Sequence, residues 1–322
     1  MQRLLFVDHS YHARTLATQF LQDLLAARFA VDVLWDESWA GGDKVSAEAL
    51  DAGSHDAIVF FQILPRVRTL KRLRCQNLTW VPMRDGLWYG SRELQRLGGG
   101  PVKVLNFCRE AHDFFLSHGH RSLGVQYWPE PAPASPPRGR ETPRLFFWPR
   151  RREIGWPTLK ALLGDFRPEG IVLRYATDPG HELPEPDEAD IREYRIEIVR
   201  GWLEHAEYHR LLTGCDVFVA PRPLEGIGQS VLEAMRHGMA VIAPDAPTMN
   251  EYVSHGRSGW LYPLSAPRPL DFRDWAARGA AARADVAQGR VRWLAEQAGI
   301  ADFVATPARA DLRWRLRRLA RW

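Results

Sequence analysis

Short apolar runs rich in Val, Ile, Leu and Phe alternate along this chain with longer segments of helical period. Leu4–Asp8, Val31–Trp35, Ala57–Ile63, Leu78–Pro82 and Val102–Phe107 read as buried strands. Thr15–Arg28, Val67–Arg74, Arg92–Leu97 and Ala111–His118 read as the helices between them. Strands that are apolar throughout need cover on both faces, so this alternation predicts a parallel sheet flanked by helices. The pattern breaks between Pro129 and Arg140, where five of twelve residues are proline. Such a stretch forms neither a central strand nor a helix interior and suits a stiff linker. The alternation then restarts, with strands at Leu145–Trp148, Ile171–Tyr175, Tyr194–Val199, Asp216–Ala220, Ala240–Ala243 and Trp260–Tyr262. Thr158–Leu163, Ala206–Leu212 and Ser230–His237 read as helices, the last closed by Gly238 as its C-cap. Alanine- and arginine-rich helical segments follow from Phe272.

The expected architecture is therefore α/β, with two Rossmann-like, doubly wound domains facing a cleft. The boundaries fall at 1–129 for the first domain, 130–142 for the linker and 143–300 for the second. A basic amphipathic helix at 301–322 is expected to cross back to the first domain. Ligands of such sheets sit at the carboxyl ends of the strands, which fixes a place but not a chemistry.

Composition narrows the class. The 322 residues are 45% hydrophobic and 25% charged, the balance of a soluble globular protein. The three cysteines, Cys75, Cys108 and Cys215, are dispersed and odd in number, so neither a disulfide framework nor a zinc site is expected. A reducing cytoplasm fits. No apolar run reaches about 18 residues, and the N-terminal run ends at Asp8, too early for the core of a signal peptide. The net charge of +4 is an uneven average, because Arg309–Trp322 holds six arginines and one aspartate. The rest of the chain is close to neutral, which argues against a nucleic-acid-binding surface.

The informative stretch runs from Asp216 to Met235. A buried strand ends at Pro221, a loop carries Glu225 with Gly226 and Gly228, and a helix starts near Gln229. The backbone N–H groups from Gly226 to Ser230 precede or open that helix, so they lack intrahelical acceptors and invite phosphate. Glu233 lies in the first turns, where side chains lean back toward the N-terminus. Two carboxylates beside such a site suit sugar hydroxyls, since an ionised carboxylate only accepts hydrogen bonds.

This string, Glu225 with Glu233 eight positions on, inside Pro-x-x-x-Glu-Gly-Ile-Gly-Gln-Ser-x-Leu-Glu-Ala-Met and followed by Gly238-Met239-Ala240-Val241-Ile242-Ala243, resembles the group 1 retaining glycosyltransferases of GT-B fold, family 4-like. Asn250-Glu251-Tyr252-Val253 and Gly256-Arg257-Ser258-Gly259-Trp260-Leu261 extend the likeness, which spans about Arg144–Leu264. The resemblance implies a nucleotide-diphosphate sugar bound by the second domain and a glycan or lipid-linked acceptor bound by the first, in bacterial surface polysaccharide synthesis. It implies that Glu233 holds ribose hydroxyls, that Glu225 holds the donor sugar near the reacting carbon, and that Gly226, Ile227, Gly228, Gln229 and Ser230 face the sugar and diphosphate. It implies no cofactor and metal-independent chemistry, in keeping with the lack of any Asp-x-Asp in the chain. The leaving diphosphate then needs side-chain cations. Arg150 takes the family's arginine position, but the lysine position falls at or near Ile154, so Arg151 or Arg152 is expected to replace it.

In the first domain, His12 with Tyr11 after the first strand, and Asp85 after the fourth, are the candidates for acceptor or sugar contacts. Each feature also has a structural reading. The glutamates could be solvated helix-terminal acids, the arginines a solvated loop, His12 a cap, and Asp85 the brace of a turn before Gly86. The tail at 309–322, with Leu312, Leu316 and Leu319 on one helical face, could pack internally or lie on an anionic membrane. The rival functions are a non-catalytic nucleotide-sugar-binding protein, another nucleotide-sugar enzyme such as an epimerase, and a phosphorylase-like protein. The last needs a pyridoxal lysine, and none of the four lysines sits in a C-terminal site.

Overall fold

A computed structural model describes residues 1–91, 94, 97, 102–133, 139–178 and 180–308. The expected helix at Arg92–Leu97, part of the proline-rich linker and the basic tail at 309–322 lie largely or wholly outside these residues. The chain divides into two compact units, Met1–Gln126 with the chain from Trp293 on, and Tyr127–Arg292.

The first unit is a six-stranded sheet of β1 (Gln2–His9), β2 (Phe29–Asp36), β3 (Ala57–Phe61), β4 (Leu78–Val81), β5 (Val102–Asn106) and β6 (Ser122–Gly124). The strand order is β2-β1-β3-β4-β5-β6 and every pair is parallel, with Leu4 between Val31 and Ala57. Its helices are α1 (Tyr11–Thr15), α2 (Gln19–Ala26), α3 (Ala47–Asp51), α4 (Val67–Leu70) and α5 (Arg109–Ser117). The core on one face gathers Leu5, Val7, Ile58, Phe60, Leu78, Val102, Val104 and Phe115, all buried.

The helix expected at Thr15–Arg28 starts only at Gln19 as α2, behind the short α1. Leu16 adopts the left-handed conformation at φ +53°, and the buried Thr18 hydroxyl donates to the Asp8 carboxylate at 2.8 Å. A threonine side chain engaged elsewhere offers the backbone an alternative to continuing the helix. Helix α3 escaped the sequence reading, although Ser46 caps it by accepting from the Ala49 N–H at 3.1 Å.

The second unit holds β7 (Arg144–Phe147), β8 (Gly170–Tyr175), β9 (Ile196–Arg200), β10 (Val217–Val219), β11 (Ala240–Pro244) and β12 (Gly259–Tyr262). The order is β12-β11-β10-β7-β8-β9, again parallel throughout, with Val217 between Leu145 and Ala240. Its helices are α6 (Trp156–Leu163), α7 (Glu188–Glu193), α8 (His205–Thr213) and α9 (Gln229–Arg236). Helix α7, also missed, carries an Asp187 cap that accepts from the Asp190 N–H at 2.8 Å. Gly238, at φ +77°, lets the chain turn back after α9, with the Met239 N–H reaching the Ala234 carbonyl at 3.1 Å. One core here collects Leu145, Phe147, Ile154, Leu159, Ile171, Leu173, Val217, Val219, Ile242 and Trp260.

Helix α10 (Trp275–Ala305) starts in the second unit and ends in the first. Its last carbonyls lack intrahelical donors, and side chains of the first unit supply them. Lys103 donates to the Val304 and Thr306 carbonyls, Asn77 to those of Val304 and Ala305, and Arg121 to those of Thr306 and Pro307. The Arg121 guanidinium also offsets the negative end of the helix dipole, while burial pushes the Lys103 ammonium down to a pKa of about 6. Trp293, 1% exposed, packs against Phe20 and Phe107. No helix among the described residues is long and apolar enough to cross a membrane.

Trp293→Ala should cost about 3–5 kcal/mol in urea unfolding, the usual penalty for emptying a buried aromatic site. The neighbouring Leu294→Ala, at a position 50% exposed, should stay within about 0.5 kcal/mol.

Candidate functional site

In the second sheet β7 and β10 are neighbours, yet the chain leaves β7 toward β8 and leaves β10 toward β11. The loops after these two strands diverge, and the crevice between them is the ligand position of doubly wound sheets. Backbone bonds lace this edge together. The Arg150 N–H donates to the Pro221 carbonyl at 3.2 Å, and the Asp178 N–H to the Arg150 carbonyl at 3.0 Å.

Asp178, after β8, is the centre of a charged cluster. Arg150 reaches its Oδ1 through Nε at 2.8 Å and Nη2 at 2.6 Å. Arg222 donates through Nε to Oδ2 and through Nη2 to Oδ1, each at 3.0 Å. The Nε of Arg151 lies 2.9 Å from Oδ2, and its Nη1 lies 2.7 Å from His181 Nε2. Burial works to raise the Asp178 carboxyl, but the hydrogen bonds and charges of Arg222 and Arg150 outweigh it and hold it below the usual carboxylate value. Three guanidinium groups around one carboxylate leave an excess of positive charge. The Trp148 indole backs the cluster. Its Nε1 donates to the Ala176 carbonyl at 2.7 Å, and the Arg174 and Arg150 guanidinium carbons lie 3.9 Å and 5.0 Å from its ring centroid. Arg152 turns to the Gly180 carbonyl at 2.9 Å. Ile154 is a fully buried member of the core.

The loop after β10 places the predicted glutamates. Glu225 is 8% exposed, and the buried Thr248 hydroxyl fixes the loop by donating to the Glu225 carbonyl at 2.6 Å. Arg222 Nη1 lies 3.7 Å from Glu225 Oε2. Gly228 caps α9 at φ +76°, a left-handed conformation that strains any residue with a side chain. The N–H groups of Gly226, Ile227 and Gly228 have no acceptor among the described residues. Gln229 and Ser230 open the helix, half-buried. Glu233 follows on the same helix, half-buried, and its carboxylate makes no hydrogen bond among the described residues. Burial pushes the Glu233 pKa up, and the charges of His205, His209 and Arg236 oppose this only in part. The nearby Tyr208 hydroxyl is pushed up by burial and by Glu233. The structure thus brings Arg150, Arg151, Glu225, Gly226, Ile227 and Gly228 to one sheet edge, with Gln229, Ser230 and Glu233 on the helix that follows.

The first sheet has its own switch, between β1 and β3. There Asp8, fully buried, accepts from the His9 N–H and from His12 Nδ1 on Oδ1, and from Thr18 on Oδ2, each at 2.8 Å. The His9 and His12 rings lie 3.7 Å apart, and His9 Nε2 is 2.6 Å from Gln62 Oε1, just past β3. Burial and the charge of His12 lower the His9 pKa. Tyr11 leans on the half-exposed Trp39 at 5.3 Å between ring centroids. Ligand atoms of Asp8, His9 and His12 lie within 4.8 Å of one another, close enough for a metal ion. Both Asp8 oxygens are already occupied by donors, however, which is the pattern of an aspartate orienting an imidazole. Asp85 sits two strands away, in a 3-10 turn at Arg84–Gly86 after β4. Its neighbour Arg84 pairs with Glu110 at 3.1 Å.

Asp178, Arg222, Thr248 and Trp148 were not singled out from the sequence. Asp178, three residues past a predicted strand and followed by proline and glycine in sequence, carried a loop signal, and Arg222 lies inside the quoted motif. What the sequence hides is that three arginines from two loops meet on one acid from a third.

Residues 177–273 match the family described as Glycosyl transferases group 1. No curated protein matches the chain in sequence. Among solved structures, the chain is similar to sucrose-phosphate synthase of Thermosynechococcus elongatus, at 15% identity and a TM-score of 0.62 over 94% of this chain and 100% of that one. It is similar to the lipopolysaccharide outer core galactosyltransferase WaaB, at 12% identity and a TM-score of 0.60 over 94% and 100%. It is also similar to the Anabaena protein HepE in complex with UDP and glucose, at 15% identity and a TM-score of 0.55 over 93% and 100%. Two parallel six-stranded sheets covered by helices, the second carrying the group 1 match, give this chain the GT-B fold of the glycosyltransferases.

Proposed function

We propose that the protein is a glycosyltransferase that takes a sugar from a nucleotide-diphosphate donor, with retention and without a metal, and passes it to a glycan or lipid-linked acceptor. The observation that carries this reading is the meeting, at one end of one sheet, of a buried glutamate, three backbone N–H groups without acceptors among the described residues and an arginine cluster. Glu225 accepts hydroxyls of the donor sugar, Glu233 those of the ribose, and the amides of Gly226, Ile227 and Gly228 with Arg150 hold the diphosphate. In the reaction the bond from the anomeric carbon to the phosphate oxygen breaks and a bond to the acceptor oxygen forms on the same face. The departing phosphate takes the acceptor's proton. Arg150 stabilises the charge that grows on that phosphate.

UDP is the first donor nucleotide to try, because HepE has been described in complex with UDP and with UDP-glucose. His12, oriented by Asp8, and Tyr11 are the proposed acceptor contacts, with Asp85 a weaker one. WaaB, a lipopolysaccharide galactosyltransferase by its description, supports a role in bacterial surface polysaccharide synthesis. Peripheral contact with an anionic membrane through 309–322 would serve a lipid-linked acceptor. That contact is absent if liposomes co-sediment the full chain and a chain ending at Pro307 equally.

Glu225→Ala should lower sugar transfer or release from the donor by about a hundredfold or more, as loss of about 3 kcal/mol of transition-state contact does. Nucleotide binding, followed by titration calorimetry, should change little; equal turnover by the variant and the wild type would remove Glu225 from the site. Glu233 predicts a pH signature. Its raised pKa means that the folded carboxyl keeps its proton at a pH where an ordinary glutamate has lost it. Ribose hydroxyls need the ionised form, so nucleotide affinity should rise with pH through that raised pKa, and Glu233→Gln should flatten the profile. The same shift makes the folded state the better proton binder, so this contribution to stability falls as pH rises. Glu233→Gln should therefore raise, not lower, the melting temperature above neutral pH.

A further inference from the structure

A nucleoside diphosphate carries at least two negative charges, and Arg150 alone answers them poorly. The lysine that the resemblance expects a few residues after Arg150 is absent, and Ile154, at that position, is sealed in the core. We infer that Arg222 is the second cation of the diphosphate site, with Asp178 as the residue that positions it. The inference rests on the nucleotide-binding reading above.

Arg222 directly follows Pro221, in the loop after β10, the strand beside β7. Its Nε and Nη2 lie on the carboxylate that also takes Arg150. One buried anion thus holds two guanidinium groups from the loops after the two strands that flank the switch. Its Nη1 lies 3.7 Å from Glu225 Oε2, on the side of the loop that leads to the amides of Gly226, Ile227 and Gly228. The side chain is 16% exposed, enough for contact with a ligand and too little for a free swing. The other two arginines of the loop after β7 each have a further partner. Arg151 spends Nε and Nη1 on Asp178 and His181, and Arg152 reaches the Gly180 carbonyl. A guanidinium gives phosphate charge-assisted hydrogen bonds, and one fixed beforehand loses little freedom on binding. Asp178 also keeps three like charges together while the site is empty, and it leaves a net positive field for an anion to enter.

The test is titration calorimetry of the full chain with pyrophosphate, with UDP, GDP, ADP, dTDP and CDP, and with the matching nucleoside monophosphates. Wild type, Arg222→Gln, Arg222→Lys, Asp178→Asn and Arg150→Gln are compared, each checked by thermal melting. Arg222→Gln should bind the preferred diphosphate at least about tenfold more weakly and its monophosphate within about threefold of wild type. Arg222→Lys, which keeps the charge and loses the fork, should fall between, and it serves if Arg222→Gln does not fold. Asp178→Asn should lose the same preference for diphosphate over monophosphate, which a general loosening of the fold would not remove selectively. If both Arg222 variants keep that preference while Arg150→Gln loses it, Arg222 has no part in the site and the nucleotide-binding reading stands. If the wild type binds neither pyrophosphate nor any of the diphosphates, both fall together.

Discussion

Parallel pairing sends the carboxyl end of every strand to the same edge of its sheet, and the chemistry of this protein depends on that constraint. In the second sheet it delivers Arg150 after β7, Asp178 after β8 and Arg222 with Glu225 after β10 to one place. Those residues are up to 75 positions apart in the chain. The strand order then opens a crevice between the β7 and β10 loops, because the chain leaves those strands in opposite directions. The first sheet obeys the same geometry, with Asp8, His9 and His12 after β1 facing Gln62 after β3. Each unit therefore holds its most unusual polar cluster at its own switch.

The polar cluster of the second unit is costly to keep. Buried charge is tolerated only when its hydrogen-bonding capacity is used, and Asp178 meets this condition with donors from three arginines. Glu233 does not. It is held without a hydrogen-bond partner among the described residues and keeps its proton more tightly than a free glutamate would. The loop N–H groups at Gly226, Ile227 and Gly228 are likewise without acceptors. A fold selected for stability alone would have satisfied these groups. Their shared position at the start of α9 gives the arrangement its meaning, because one ligand with phosphate and hydroxyl groups would satisfy them together.

Much of this was legible in the sequence, and the reasons differ by element. The central strands announced themselves because a doubly covered strand must be apolar at consecutive positions, as Ala57–Phe61 and Val217–Val219 are. Gly228 and Gly238 marked the two ends of α9 because each adopts a positive φ. The short elements were lost. β6 has only three residues, and α3 and α7 depend on caps at Ser46 and Asp187 more than on periodicity. The break at Leu16 was invisible because its cause, the Thr18 hydroxyl on Asp8, is a tertiary contact. In the candidate site, Glu225, Glu233 and Arg150 could be named because the string around them resembles the group 1 glycosyltransferases. Asp178 and Arg222 could not, since their roles exist only once three loops are brought together.

The central claim is that the three N–H groups before α9 are the anchor of a nucleoside diphosphate. Amide hydrogen exchange of the full chain, with and without a saturating nucleoside diphosphate, addresses it most directly. The free protein should exchange quickly at Gly226, Ile227 and Gly228, which have no acceptors among the described residues to protect them. Bound nucleotide should slow exchange there and across the first turn of α9. Nucleotide that binds while these amides keep exchanging at the free rate would contradict the account.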